Sequence, residues 1–143
     1  MRKIGLDLGS KTCGIAISDE NNKLVVGLCN FEYSKNDFMQ IINKLKSIIS
    51  DYDNKVDTFV LGYAKNHYSI TKNEASLRSE KFKKLLETNF KDMKVVLQDE
   101  NYTTIRASER LMQQDIKASQ RKKVIDMVSA IIILEDYLNN INS

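Results

Sequence analysis

Proline is absent from the 143 residues, histidine occurs once and cysteine twice. The missing proline accompanies abundant lysine, asparagine and isoleucine, the bias that AT-rich coding produces, and it excludes no fold. Cys13 and Cys29 have neither a CxxC spacing nor histidines near them. That excludes a thiolate metal site and a disulfide framework, and the expectation is two reduced thiols buried on strands, as in a cytoplasmic protein. No stretch reaches the ~18–20 uninterrupted apolar residues of a membrane span. Arg2 and Lys3 lead into a segment broken by Asp7 and Lys11, so a secretory signal is not expected either. Charge of one sign is also scarce: the net charge is +3. If nucleic acid is the partner, the basic residues must gather on one face.

What is present is ordinary for a folded protein, with 42% hydrophobic and 29% charged residues. That is too apolar for disorder and long enough for one domain, residues 1–143, with a buried core. Apolar alternation predicts strands at 2–8, 13–18 and 23–29, with a turn at Asn21–Asn22. Their close spacing makes them an antiparallel meander. Helical spacing of Phe38, Ile41, Ile42, Leu45, Ile48 and Ile49 predicts a helix over 37–50, with Asn36 or Asp37 as its N-cap. A strand at 57–62, a helix at 74–88, a strand at 94–100 and helices at 103–113 and 120–140 follow. The fold class is α/β: a five-stranded mixed sheet, three antiparallel strands and then parallel ones, flanked by helices.

Three acids interrupt apolar elements. Asp7 stands inside "IGLDLG", where an unpaired buried carboxylate costs several kcal/mol or shifts its pKa. Asp99 and Glu100 end "KVVLQDE" at the carboxyl edge of the sheet. Asp126 lies in "KKVIDMVSAIIIL", on one stripe with Lys122, Lys123, Ser129 and Ala130. Each has a plain structural alternative. Asp7 can be a turn feature, Asp99 and Glu100 can open a solvated loop, and Asp126 can pair with Lys122 for ~0.3–0.5 kcal/mol. Their coincidence on one sheet favours function. Clustered carboxylates need a cation between them, and an oxygen-only donor set implies a hard ion, Mg²⁺ or Mn²⁺. Carboxylates bridging two such ions ~3.5–4 Å apart suit in-line phosphodiester hydrolysis.

The runs "GLDLGSKTCGIAIS" (5–18), "VLGYAKN" (60–66), "QDENYTT" (98–104) and "IDMVSAIIILEDYL" (125–138) together resemble the YqgF family. This is a group of Holliday-junction resolvases or pre-16S rRNA nucleases of the RNase H-like superfamily. The resemblance spans almost the whole chain and implies an RNase H-like fold. It also implies an endonuclease that processes the 5′ end of pre-16S rRNA in ribosome biogenesis, using a two-metal Mg²⁺ or Mn²⁺ site. Its metal-binding acids fall on Asp7, Glu100 and Asp126, with Glu100 preferred over Asp99, and a basic position falls on Lys11. Ser10 and Thr12 can support the turn or touch substrate, and Thr103 or Thr104 is expected to cap a helix. The chain departs from the family at Gly62–Tyr63–Ala64, where Gly-Leu-Pro is usual, and at Asn101, where an arginine is usual.

Other residues carry weaker signals. His67 sits in a polar loop, where an exposed histidine is the default reading, and Tyr63 and Tyr68 can stack on bases or pack the loop. Basic residues gather in the later half: Arg78, Lys81, Lys83 and Lys84, then Arg106, Arg110, Lys117, Arg121, Lys122 and Lys123. Lys11, Arg106, Arg110, Arg121, Lys122 and Lys123 are the candidates for phosphate contacts around the acids. The expected partner is structured RNA, pre-16S rRNA in the pre-ribosome, with branched DNA as the alternative. A junction resolvase would need two sites in a symmetric dimer, and the sequence leaves monomer and homodimer open. "DLGS" alone also opens actin-like ATPases and sugar kinases, but those hold nucleotide between two domains and this chain has room for one. A non-catalytic nucleic-acid-binding module is the remaining class, and the intact acid trio argues against it.

Overall fold

The computed structural model describes residues 1–63, 74–100 and 103–142. Strands β1 (Arg2–Leu8), β2 (Thr12–Ser18) and β3 (Val25–Glu32) form the antiparallel meander. Asp7 stands opposite Gly14 in the β1–β2 pair, and the β2–β3 register shifts after Ile15. Asn22 turns the chain between β2 and β3 at φ 57°, in the left-handed region that asparagine tolerates. Then come α1 (Phe38–Asp51), β4 (Val56–Tyr63), α2 (Glu74–Asn89), β5 (Lys94–Asp99), α3 (Thr103–Gln113) and α4 (Ala118–Asn142). The sheet order is β3-β2-β1-β4-β5, with β4 parallel to both β1 and β5. Four strands therefore end at one edge of the sheet, where β2 begins and from which α1 and α2 depart.

Strand alternation gives the sheet two different faces. Ile4, Leu6, Ile15, Ile17, Phe59 and Leu61 project to one side. There they meet Ile41, Ile42 and Leu45 of α1 and Phe82 and Leu86 of α2, all fully buried. At ~1.5–3 kcal/mol for each large side chain so buried, this face supplies much of the driving force for folding. The opposite face can then carry residues that packing alone would not select.

That opposite face is where α4 lies, and it is lined with glycine: Gly5 in β1, Gly14 in β2, Gly27 in β3 and Gly62 in β4. A Cβ added at Gly14 would stand 1.9 Å from the Asp126 carbonyl oxygen, and one at Gly5 2.7 Å from that of Ala130. The helix backbone therefore rides directly on the strands. Val60, Ile133, Leu134 and Leu138 seal its far end, while Ala107, Leu111, Val128 and Ile132 seat α3 upon it.

Some local expectations are corrected. The third strand starts at Val25 and runs on to Glu32, and the last helix starts two residues early, at Ala118. Asp37 occupies the N-cap position of α1, but it is exposed and its side chain bonds nothing in the first turn. Thr103 and Thr104 do not cap α3, because both lie inside its first turn, whereas a cap precedes it. Cys13 is buried as expected, Cys29 is half-buried, and both are free thiols. Among the described residues no helix is long and apolar enough to cross a membrane.

Candidate active site

Asp7 lies one residue before the end of β1, on the α4 face. The residue keeps some accessible surface, yet protein atoms enclose its carboxyl, and this burial is the first cause that holds its pKa well above the usual carboxylate range. The charges of Glu100 and then Asp126 push in the same direction, as does a hydrogen bond to Glu100. The buried Ser129 hydroxyl opposes them from α4, while making no close hydrogen bond among the described residues.

Glu100 follows β5, and its backbone N–H donates to the Tyr63 carbonyl at 3.1 Å. Because β4 separates β5 from β1, the Glu100 side chain must pass over β4 to reach Asp7. It passes at Gly62, where a Cβ would stand 2.3 Å from Oε1 and 2.9 Å from Cδ of Glu100. Burial raises the Glu100 pKa, the hydrogen bond with Asp7 opposes that, and the charges of Asp126 and Asp99 add to the rise. Burial is thus the first cause of the rise at both carboxyls. Asp99, the last residue of β5, alternates to the other face.

Asp126 stands in the third turn of α4, its backbone pressed onto Gly14. Its Oδ2 accepts a hydrogen bond from Thr12 Oγ1 at 2.5 Å. Thr12 begins β2, so the tight Gly9–Thr12 turn, closed by the Gly9 N–H on the Thr12 carbonyl at 2.8 Å, fixes a group that fixes Asp126. Among the described residues Asp126 makes no ion pair with Lys122. Nor do three His, Cys, Asp or Glu side chains there already close into a metal cage. What couples the trio is burial and mutual charge.

The basic candidates divide. Lys11 is exposed on the turn that carries Thr12, and Lys122 and Lys123 are exposed one helical turn before Asp126. Arg121 is anchored instead, Nη1 donating to the Ile116 carbonyl at 2.9 Å. Arg106 forms a two-point pair with Asp136 at 2.7 and 3.0 Å, and Arg110 pairs with Glu135 at 3.0 Å. These carboxylates follow Asp126 by nine and ten residues, about 14 Å along the helix. The two arginines therefore clamp α3 to α4 and are not brought to the acids. Lys83 pairs with Glu87, and the Tyr63 hydroxyl donates to Glu80 at 3.4 Å. His67, Tyr68 and Asn101 lie outside the described residues.

Sequence reasoning left Thr12 undecided and assigned no role to Gly14, Gly62 or Ser129. A signal was available for the glycines: inside a strand, glycine marks close approach by another backbone or group.

Comparison with known proteins places the chain in a family. The profile of the RuvX family, described as Holliday junction resolvase, matches residues 1–140. A protein of Ureaplasma parvum serovar 3, provisionally named pre-16S rRNA nuclease, is 44% identical over 142 residues, 97% of each chain. A Bacillus subtilis protein of the same name is 38% identical over 142 residues, 99% of this chain and 100% of its own. Among solved structures, the fowlpox virus resolvase in complex with Holliday junction DNA matches with a TM-score of 0.60 at 15% identity, over 100% of both chains. That likeness concerns the fold, which is RNase H-like. The chain belongs to the RuvX family of Holliday junction resolvases, the group resembled under the name YqgF.

Proposed function

We propose that this protein is a divalent-metal-dependent endonuclease that cuts structured RNA at the 5′ end of pre-16S rRNA, with Asp7, Glu100 and Asp126 holding the metal. Hydrolysis of phosphodiester bonds as a class follows from family membership. The metal, the RNA and the residue roles are our reading. One observation carries it: carboxylates from β1, from the end of β5 and from α4 meet in a partly desolvated cluster that raises the pKa of two of them. Packing alone would not select that cluster.

The residues fit a hard cation. The cluster's donors are carboxylate oxygens, with the Ser129 hydroxyl, which has no close hydrogen bond among the described residues, beside Asp7. Bound there, Mg²⁺ or Mn²⁺ would supply Lewis acidity at the scissile phosphate and lower the pKa of the attacking water. The chain's own residues do the rest. Only ionised carboxylates ligate well, so any proton that the raised pKa values of Asp7 and Glu100 retain is released to solvent as a cation binds. Thr12 holds Asp126 through Oδ2, so the third acid does not swing away. Lys11, Lys122 and Lys123 offer positive charge to the phosphates on either side of the cut.

Gly62 tests the path of Glu100. Gly62→Ala is expected to fold with a loss of about 1–3 kcal/mol from overpacking. Its methyl occupies the space where Glu100 crosses, so cleavage should fall at least tenfold, beyond any loss in folded fraction. Wild-type cleavage by the folded variant would show that Glu100 does not act from this position.

A second reading, resolution of four-way DNA junctions, is favoured by the description of the family and requires two sites in a symmetric dimer. Incubation with pre-16S rRNA, an unrelated structured RNA and a DNA four-way junction, each with Mg²⁺ or Mn²⁺, separates the two. The expected result is a cut at the 5′ end of the rRNA, mapped by its ends. Paired symmetric nicks in the junction with intact RNA would transfer the assignment to the second reading.

A further inference from the structure

α1 and α2 leave the sheet from the edge that carries the acids, but on the opposite face. Between their first turns lies an open groove of about 560 Å³, which begins at Ser10, three residues beyond Asp7. Lys35, Arg78 and Lys81 line it, against one carboxylate, Glu74, among the described residues. None of these three cations forms an ion pair among the described residues. Its apolar lining comes from Phe38, buried against Phe82, and from Leu77, which is 53% exposed. Tyr33 ties the groove to the catalytic edge: its hydroxyl donates to the Gly9 carbonyl, and it lies close enough to Arg78 to feel that charge. The Gly9–Thr12 turn links groove and acids, since Ser10 lines the groove and Thr12 bonds Asp126.

Three cations with no ion pair among the described residues, beside an exposed leucine, make a poor protein core and a poor purely apolar site. They match one chemistry well, a polyanion with flat apolar faces at regular intervals. The volume suits one or two nucleotides and is too small for a duplex. We infer that this groove is a second nucleic-acid subsite, which holds a single-stranded flank of the substrate after it passes over the Gly9–Thr12 turn. Phosphates lie on Lys35, Arg78 and Lys81, and a base rests against Leu77. The inference rests on the nuclease reading, because it is the strand cut at the acids that continues into the groove. It makes the groove a determinant of which RNA end is chosen, since a fully paired end cannot enter.

The test measures binding apart from cleavage. Two RNAs, a blunt hairpin and the same hairpin with a four-nucleotide single-stranded tail, are titrated in EDTA against three proteins across a salt series. The proteins are wild type, Lys35→Ala/Arg78→Ala/Lys81→Ala, and a control, Lys55→Ala/Lys91→Ala/Lys94→Ala, which removes equal charge near the opposite sheet edge. Wild type and control should prefer the tailed RNA. The groove variant should lose that preference, with tailed-RNA affinity down roughly tenfold. The slope of log K against log salt should flatten by about 2, as expected for three single-strand phosphate contacts. Leu77→Ala should weaken tail binding without changing the slope, because it removes an apolar contact for the base and no charge. An undiminished tail preference in the groove variant, or an equal loss in the control, would overturn the inference. The outcomes also separate from the nuclease reading: absent cleavage with an intact tail preference would count against that reading alone.

Discussion

Asp7→Asn, Glu100→Gln and Asp126→Asn should each reduce RNA cleavage by well over 100-fold while RNA binding survives. Losing a group that merely supports a metal ligand costs about 10–100-fold, so losing a ligand should cost more. Binding should survive because the proposed phosphate contacts, Lys11, Lys122 and Lys123, are untouched, and removing a carboxylate relieves repulsion of the RNA. The amides keep the shape of the acids, which separates loss of chemistry from loss of fold. Wild type should also show a pH signature. The pKa values of Asp7 and Glu100 are raised, so at moderate pH a proton competes with the cation. At limiting Mg²⁺, cleavage should rise as pH climbs through the raised carboxyl range, and more Mg²⁺ should move the rise to lower pH. Undiminished cleavage by any of the three variants, purified free of contaminating nuclease, would remove that residue from the site.

Much of this was legible in the sequence because it is local. The alternation Ile4, Leu6, Leu8 marks β1, and the spacing of Ile41, Ile42 and Leu45 marks α1. Asp7 and Asp126 were visible as charges in apolar runs, a conflict between residue and element that periodicity exposes. What stayed hidden depends on contacts across the chain. Thr12 and Asp126 are 114 residues apart, and nothing in either segment announces their hydrogen bond. Arg106 and Arg110 look like phosphate contacts because charge alone was read. Their partners, Asp136 and Glu135, become neighbours only when α3 folds back on α4. The α1–α2 groove was hidden for the same reason: Lys35 and Lys81 meet only through the crossover topology.

In metal-free buffer Asp7→Asn is expected to melt higher than wild type, by roughly 3–8 °C, the shift that 1–2 kcal/mol produces in a domain near this size. The sign follows from linkage. The pKa of Asp7 in the folded state lies above its unfolded value near 3.9, so the native protein binds this proton more tightly. The stability from that proton is fully present below the unfolded pKa and is lost as pH rises through the folded one. At neutral or higher pH the ionised cluster is therefore a burden, which the neutral amide relieves. The gap between variant and wild type should widen toward pH 8 and narrow on acidification. Glu100 adds in the same direction, since its folded pKa is also raised. On the proposed reading the site sacrifices stability for chemistry and would recover it when a cation binds.

The most direct measurement is the Mg²⁺-induced change in melting temperature of wild type and Asp7→Asn, side by side at pH 8. A cation that binds only the native state at about 100 times its Kd stabilises by about 2.7 kcal/mol, a shift on the order of 10 °C. Wild type should show that shift and Asp7→Asn only a small part of it, starting from a higher melting temperature in EDTA. Equal shifts in the two proteins, or an Asp7→Asn protein that melts well below wild type in EDTA, would contradict the claim that Asp7 is held in this strand to bind metal.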